Sequence, residues 1–150
     1  MRPDVLQEYL HANIPLAEFM HVSVVSVSPD SLVLSAPLEP NVNVHQTVFG
    51  GSAASIALIA AWSLLHVRMS DSHVAGNVVV HQHRMTYFSP IKGRFTTHAE
   101  FATPTAWDEF VHALGHKGRA RVTLVATLQY DGHRAARLEG EFVARGAPGA

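Results

Sequence analysis

The sequence predicts an α+β fold in which an antiparallel sheet wraps around one long central helix. Residues 50–67 contain no Asp, Glu, Lys or Arg and are rich in alanine, isoleucine and leucine, so a helix there is apolar on almost every side. The segments on either side alternate apolar and polar residues, which is typical of strands with one buried face. An apolar helix must be buried against other elements, and strands with one apolar face must pack on a hydrophobic core. The two observations therefore indicate that the helix and the strands form one domain.

Length and composition narrow the function classes. A chain of 150 residues can bury the core of one domain, which we expect to span residues 1–150. A formal net charge of −1 offers no basic surface of the kind that binds nucleic acid. The absence of cysteine excludes disulfides and cysteine nucleophiles. Asp4 and Glu8 interrupt the N-terminal segment, which lacks the apolar stretch of a signal peptide, so a cytoplasmic location is expected.

The central apolar segment approaches the length of a membrane span, since about 20 apolar residues cross a bilayer. Its hydrophobicity comes largely from alanine and glycine, and it contains three serines. No cluster of positive charges flanks it, because Arg68 is followed closely by Asp71. We therefore expect a helix buried by the sheet, and no membrane partner.

The other elements follow from periodicity and turn residues. Pro3 and Asp4 begin an N-terminal helical segment over residues 1–20, whose first helix ends near Asn13. The predicted strands cover residues 21–28, 31–36, 77–88, 94–102, 118–130 and 133–144, with a polar loop at 37–48 and one or two short helical turns within 103–118. The glycine- and proline-rich residues 145–150 are expected to form a frayed tail.

Short motifs in a particular order carry a family resemblance. They are Asn43, Thr47, Phe49-Gly50-Gly51, Trp62, Tyr87-x-x-Pro90 and Lys117-Gly118-Arg119-Ala120-Arg121. Together with the order of elements, they resemble hotdog-fold thioesterases, in particular the YiiD C-terminal-type group, from about residue 16 to residue 144. The resemblance implies a hotdog fold and hydrolysis of an acyl thioester of coenzyme A or acyl carrier protein. It also implies a homodimer or higher homo-oligomer with sites between protomers.

The start of the central helix is the predicted catalytic site. Free N–H groups and the positive end of the helix dipole favour a developing oxyanion, and glycine lets a ligand approach the backbone closely. The amides of Gly50 and Gly51 are therefore the predicted donors, and Phe49 directly before them is a predicted substrate contact. The alternative is that the glycine pair only lets the helix pass close to a neighbouring strand.

Two polar side chains near that start are further candidates. Asn43 matches an asparagine of related thioesterases and is predicted to orient the carbonyl or the attacking water, with a loop-closing Asx turn as the alternative. Ser55 lies one helical turn after Gly51 and is predicted to face the bound thioester. A hydrogen bond from Ser55 back to the carbonyl four residues earlier is the alternative.

The central helix departs from the family pattern, because many hotdog thioesterases carry a catalytic Asp or Glu there and residues 50–67 contain none. A histidine is therefore the predicted proton relay, since its pKa suits the task. His45, His81 and His83 are the candidates; His83 is preferred as the base, and His45 and His81 are predicted to contact the substrate. Two-residue alternation places His81 and His83 on one face of their strand with Met85. The alternative for the pair is an exposed or sheet-stabilising role.

Metal and phosphate binding rest on weaker patterns. His81-x-His83 has a spacing seen in zinc sites, but only His45 is an obvious third ligand and no carboxylate lies nearby in sequence. The His112–His116 pair also has such a spacing, but it lies in a polar segment where solvent exposure is expected. Neither a metal nor another cofactor is therefore predicted. Arg119, in the only basic cluster, is predicted to contact the phosphates of coenzyme A or of a carrier arm. A solvated strand start is the alternative.

Two other functions stay open. A hotdog protein that binds acyl thioesters without hydrolysing them would explain the missing acid on the helix. A hotdog dehydratase or hydratase would need a paired histidine and acid, and the sequence does not provide a convincing pair. Hydrolysis of an acyl thioester is the prediction.

Overall fold

The structure is a computed structural model that describes residues 1–146. Its helices are α1 (Pro3–Asn13), α2 (Pro15–Phe19), α3 (Gly50–Asp71) and α4 (Ala106–Lys117). Its strands are β1 (Ser23–Val27), β2 (Ser31–Ala36), β3 (Asn77–Tyr87), β4 (Phe95–Phe101), β5 (Arg119–Tyr130) and β6 (His133–Arg145). Arg145, the first residue of the expected frayed tail, belongs to β6, and residues 147–150 of that tail lie outside the described residues.

The six strands form one antiparallel sheet in the order β1-β2-β4-β5-β6-β3. Sequence alternation decides which face of the sheet meets α3. Every second residue of β5 from Ala120 to Leu128 is buried, and so is every second residue of β6 from Ala136 to Ala144. These rows and α3 share one core, which confirms the predicted antiparallel sheet around one long helix.

The central helix is buried deeply but not on every side. Ile56, Ala60 and Leu64 are fully buried. By length and composition α3 could span a membrane, and 56 % of its apolar window is buried within the protein, as in the core helix of a folded domain. One side of α3 is only half-buried, and we call it the α3 stripe: Ser55, Leu58, Trp62 and His66.

Strand β3 forms one edge of the sheet. It pairs with β6, and its other edge has no partner within residues 1–146. Most of its side chains are exposed, including Val79 at 63 %. A bulge between Val80 and Gln82 interrupts the alternation of its side chains. A long exposed edge of this kind is a template for pairing with another chain.

Helix α4 is longer than the one or two short turns predicted for residues 103–118. Its 12 residues form a continuous helix because Phe110 and Leu114, one turn apart, are both buried. Gly118 then ends the helix in the left-handed conformation, with φ of 72°.

Candidate active site

The start of α3 leaves three backbone N–H groups without an acceptor. Phe49 is the N-cap residue, and its carbonyl accepts the first intrahelical bond from Ala53 at 3.0 Å. No side chain caps the helix, and within residues 1–146 nothing accepts a hydrogen bond from the amides of Gly50, Gly51 or Ser52. Three free donors at the positive end of a 22-residue helix suit a negatively charged oxygen.

Asn41, which the sequence analysis missed, holds the loop that leads into this helix start. It is buried, and its side-chain amide donates to the carbonyls of Met20 (2.9 Å) and Pro37 (3.0 Å). Its backbone carbonyl accepts a hydrogen bond from the N–H of Phe49 at 2.7 Å. The N-cap residue is thereby fixed by bonds from another part of the chain.

Tyr87, at the end of β3, joins the edge strand to the start of α3. Its hydroxyl donates a 2.7 Å hydrogen bond to the carbonyl of Gly50, and burial raises the pKa of this phenol, so it stays protonated and donating. A Cβ at Gly50 would lie 3.2 Å from the Tyr87 hydroxyl oxygen, and a Cβ at Gly51 would collide with the ring of Phe49. The glycine pair therefore lets α3 pass close to β3, which is the alternative role expected for it. It also leaves the backbone amides at the helix start accessible.

Asn43 closes a turn, in line with the loop-closing alternative to a catalytic role. Its Oδ1 accepts hydrogen bonds from the backbone N–H groups of His45 (2.8 Å) and Thr47 (3.1 Å). Its Nδ2 donates to the Thr47 hydroxyl at 2.9 Å. With these bonds in place, the amide of Asn43 shapes the loop beside the helix start.

Three other predicted residues lie around the helix start. Phe49 is 56 % exposed, and its ring lies over Gly51. His45 is exposed at the turn that Asn43 closes. Ser55 is half-buried one turn into α3, and the described structure shows no hydrogen bond from its hydroxyl back to the Gly51 carbonyl.

The two strand histidines do not share a face of β3, so that prediction is wrong. The bulge lets the His81 ring turn to the outer face of the sheet, where its Nδ1 lies 2.7 Å from Oε1 of Glu141. His83 pairs with Gly140, a position that faces the buried side chains on the α3 side. His83 precedes Tyr87 by four residues, which is roughly 13 Å along the strand. Within one subunit, His83 is therefore well separated from the start of α3.

Arg119 lies at the opposite end of the sheet from the start of α3. It pairs with Arg145, which pairs in turn with Asn77 at the start of β3, so Tyr87 is roughly 30 Å away along that strand. A groove of about 520 Å³ opens there, and we call it the basic groove. Its lining includes His81, Ala113, Lys117, Arg119, Arg121, Val143 and Arg145.

Among residues 1–146, no three His, Asp or Glu side chains converge closely enough to hold a metal ion together. The rings of His112 and His116 lie with their centroids 4.1 Å apart on exposed positions of α4. His81 is bonded to Glu141 instead of to a second histidine.

The sequence profile of a family described as "Putative thioesterase (yiiD_Cterm)" matches residues 4–146. The chain belongs to this family. The match includes the loop before α3, its glycine start and the edge strand β3, and it confirms the resemblance seen in the motifs.

Solved structures share this fold over nearly the whole chain. A protein from Shewanella oneidensis with the same thioesterase description has a TM-score of 0.84 and 26 % identity, covering 95 % of this chain and 96 % of that one. A Chlorobaculum tepidum protein of unknown function has a TM-score of 0.90 and 28 % identity, with coverage of 97 % and 98 %. A Haemophilus influenzae thioesterase has a TM-score of 0.76 at 7 % identity, with coverage of 97 % and 92 %, and shows the fold alone. The fold is the hotdog fold, and family membership supports a thioesterase-like function.

Proposed function

We propose that the protein hydrolyses an acyl thioester whose carbonyl oxygen is held by the amides of Gly50, Gly51 and Ser52. The uncapped start of α3 carries this proposal. When water attacks the carbonyl, its oxygen becomes an anion, and fixed N–H donors stabilise that anion without rearranging. The exposed rings of Phe49 and Tyr87 offer apolar surface for the acyl group beside these donors.

The active form that we propose is a homodimer joined along β3. Its free edge is 11 residues long and carries exposed apolar side chains such as Val79 and Val80. When the same strand of two subunits pairs antiparallel about a two-fold axis, both free edges are covered and the assembly closes. The α3 stripe lies beside β3, because Trp62 donates a hydrogen bond to the carbonyl of Val78, so a second subunit would cover the stripe as well.

Coenzyme A thioesters are the substrate class that we propose, with acyl carrier protein as the alternative. The basic groove combines cationic side chains, Arg119 among them, with apolar side chains from Ala113 and Val143. Such a groove suits phosphates and a planar base. In the antiparallel dimer, the groove of one subunit lies at the end of the sheet nearest to the helix start of the other.

A panel of thioesters tests this function. Short, medium, long and aromatic acyl-coenzyme A substrates are incubated with the purified protein, and the released thiol is measured. We expect release from at least one acyl class. The matching acyl-pantetheine, which lacks the nucleotide phosphates, should show a higher KM, and an equal KM would remove the basic groove from the substrate site.

The variant Gly50→Pro tests the oxyanion donors. Proline suits the first position of a helix, and Phe49 before it has the extended conformation that a residue preceding proline prefers (φ −59°, ψ 132°). Losing one donor should lower kcat by about 10²- to 10³-fold. Gly50→Ala is the matched control, because it adds a Cβ against Tyr87 and keeps the N–H. Equal losses in both variants would contradict the oxyanion role.

A non-catalytic acyl-thioester-binding protein is the second candidate. The observation that favours it is the absence of any acidic side chain on α3 before its last residue, Asp71. Binding of a thioester from the panel without release of thiol would identify this function. A dehydratase or hydratase would also release no thiol, but it would change the acyl chain of the bound thioester.

A further inference from the structure

The ring of His66 is stacked between two aromatic rings on the α3 side of the sheet. Its centroid lies 4.9 Å from that of Tyr9 and 4.7 Å from that of Trp62, with interplanar angles of 16° and 11°. A pocket of about 340 Å³ opens beside this stack, between α3 and the first residues of β3, Asn77 and Val78. Within residues 1–146 neither ring nitrogen of His66 has a hydrogen-bond partner.

The surroundings of His66 keep its imidazole neutral. Burial lowers its pKa below the ordinary value of 6.5. Among the pocket-lining residues of the described chain, Tyr9 is the only other titratable group. Arg68 and Asp71, the nearest charges along α3, are held in ion pairs with other parts of the chain. At neutral pH the ring therefore has a free lone pair that can accept a proton.

Two hydrogen bonds align β3 with α3. Near the end of the strand, the Tyr87 hydroxyl donates to the Gly50 carbonyl at 2.7 Å. Near its start, the Trp62 indole N–H donates to the Val78 carbonyl at 3.3 Å. The glycine start of α3 is thus level with Tyr87, and the stack of Trp62 and His66 is level with Val78.

A two-fold axis at the middle of β3 would bring these two levels together. In an antiparallel pair of β3 strands, Val78 of one subunit lies beside Tyr87 of the other. The stack that includes His66 is then carried to the free amides of the other subunit. We propose that His66 of one subunit is the general base in the active site whose oxyanion donors come from its partner. This inference rests on the proposed thioester hydrolysis and on the β3 dimer.

The chemistry balances with these groups alone. His66 takes a proton from water as the water oxygen forms a bond to the acyl carbon, and the carbonyl electron pair moves to the oxygen held by the Gly50, Gly51 and Ser52 amides. The carbonyl re-forms as the carbon–sulfur bond breaks, and the sulfur leaves with the bonding pair. Protonated His66 returns its proton to that sulfur, giving a thiol and a carboxylic acid.

His83, the base preferred from the sequence, occupies a different place in this dimer. It lies near the middle of β3, where the two-fold axis brings it close to its own copy. It is thereby distant from both helix starts. The two histidines therefore make a direct comparison: His66→Phe keeps an aromatic ring in the stack and removes the base, whereas His83→Ala leaves the stack untouched.

The expected results differ between these variants. His66→Phe should lower kcat by about 10²- to 10⁴-fold and abolish the acid limb of the kcat/KM pH profile. His83→Ala should retain the acid limb and most of the activity. His66→Gln serves as a second variant if the phenylalanine disturbs folding, which a thermal melt and gel filtration would show. Wild-type activity in a folded His66 variant would overturn the proposal.

Mixed dimers decide whether His66 acts across the interface. Gly50→Pro and His66→Phe chains with different tags are co-expressed, and dimers that carry both tags are purified. If the site is shared, one of the two sites contains an intact Gly50 amide and an intact His66, so about half of the wild-type activity returns. If each subunit uses its own His66, both sites remain defective and activity stays at the level of the parent variants, which would overturn the proposal.

The failure of this inference can be told apart from failure of the proposed function. A wild-type protein that releases no thiol from any member of the panel would refute the function itself. A wild-type protein that is active while the mixed dimers recover nothing would refute only the shared site. Gel filtration that shows a monomer for the active wild-type protein would refute the shared site as well.

Discussion

The two ends of α3 are built in opposite ways. At the C-terminal end charges are paired: the N-terminal amino group lies 2.7 Å from Asp71, and Arg68 lies 3.1 Å from Asp30. The Arg68 guanidinium also lies over the Trp107 ring at 4.8 Å. At the N-terminal end three amides have no acceptor within the described chain, and no side chain caps the helix.

The difference indicates that the C-terminal end of α3 stabilises the fold, whereas its N-terminal end is left free for chemistry. Phe49 occupies the N-cap, where Ser, Asp or Asn would add about 1 kcal/mol of stability by accepting hydrogen bonds from the first amides. A capping side chain would also occupy the donors that the proposed oxyanion needs. Packing and ion pairs anchor the C-terminal end, so changes to these anchoring groups should affect folding. Changes to the amides at the start, or to the proposed base His66, should affect turnover.

Phe110→Ala is the largest expected effect and concerns the anchored end. Phe110 is buried, and its ring centroid lies 5.7 Å from that of Trp107, which contacts Arg68. Truncating a buried phenylalanine should lower the free energy of unfolding by about 3–5 kcal/mol, measured by urea denaturation. The kcat of the folded fraction should stay unchanged. His112→Ala, an exposed position on the same helix, is the control, and a large loss of kcat without a loss of stability would contradict the division.

Tyr87→Phe concerns the uncapped N-terminal end of α3. It should lower kcat clearly and stability only slightly, the reverse of Phe110→Ala. It removes the hydrogen bond to the Gly50 carbonyl, which contributes about 0.5–1.5 kcal/mol to stability. Because that bond positions the helix start, kcat should fall by about tenfold, equivalent to roughly 1.4 kcal/mol of transition-state stabilisation. Tyr130→Phe is the control, since its hydroxyl has no hydrogen-bond partner in the part of the chain described. An unchanged kcat in Tyr87→Phe would show that the strand does not hold the amides in place.

Most of the fold could be predicted, because the spacing of apolar residues within each segment determines its secondary structure and its buried face. The alternation of β5 and β6 identified the faces that α3 buries, and the uncharged residues 50–67 identified the helix itself. The bulge between Val80 and Gln82 reversed the predicted face of His81, since one extra residue shifts the alternation and nothing in the composition marks it. Helix α4 was underestimated, because burial of Phe110 and Leu114 depends on elements elsewhere in the chain.

The candidate site also combines features that local sequence predicts with features that depend on tertiary contacts. The donors of Gly50 and Gly51 could be predicted because a helix start exposes its own amides. The roles of Asn41 and Tyr87 could not, because each depends on a hydrogen bond to a residue more than 20 positions away. No sequence pattern marks His66, since its neutral state and its position come from burial and from stacking against Tyr9 of α1, which only the tertiary structure supplies.

The smallest expected effect is a change in how stability depends on pH. Because burial lowers the pKa of His66, the unfolded chain binds a proton at this residue more readily than the folded chain does. Its contribution is therefore fully present above the ordinary pKa of 6.5 and is lost as pH falls below it. The half-exposed ring is partly screened, so the slope should stay well below the roughly 1.4 kcal/mol per pH unit that one proton can contribute.

His66→Phe should accordingly flatten the acid side of the stability curve, measured by urea unfolding between pH 5 and pH 8. Tyr9→Phe, which keeps the stack and the histidine, should retain the wild-type slope. A slope unaffected by His66→Phe would mean that this ring is not held neutral, and it would remove the base from the proposed shared site. A flattened slope together with the loss of the acid limb in kcat/KM would connect both ends of α3, since the same proton would then affect folding in one subunit and turnover in the site of its partner.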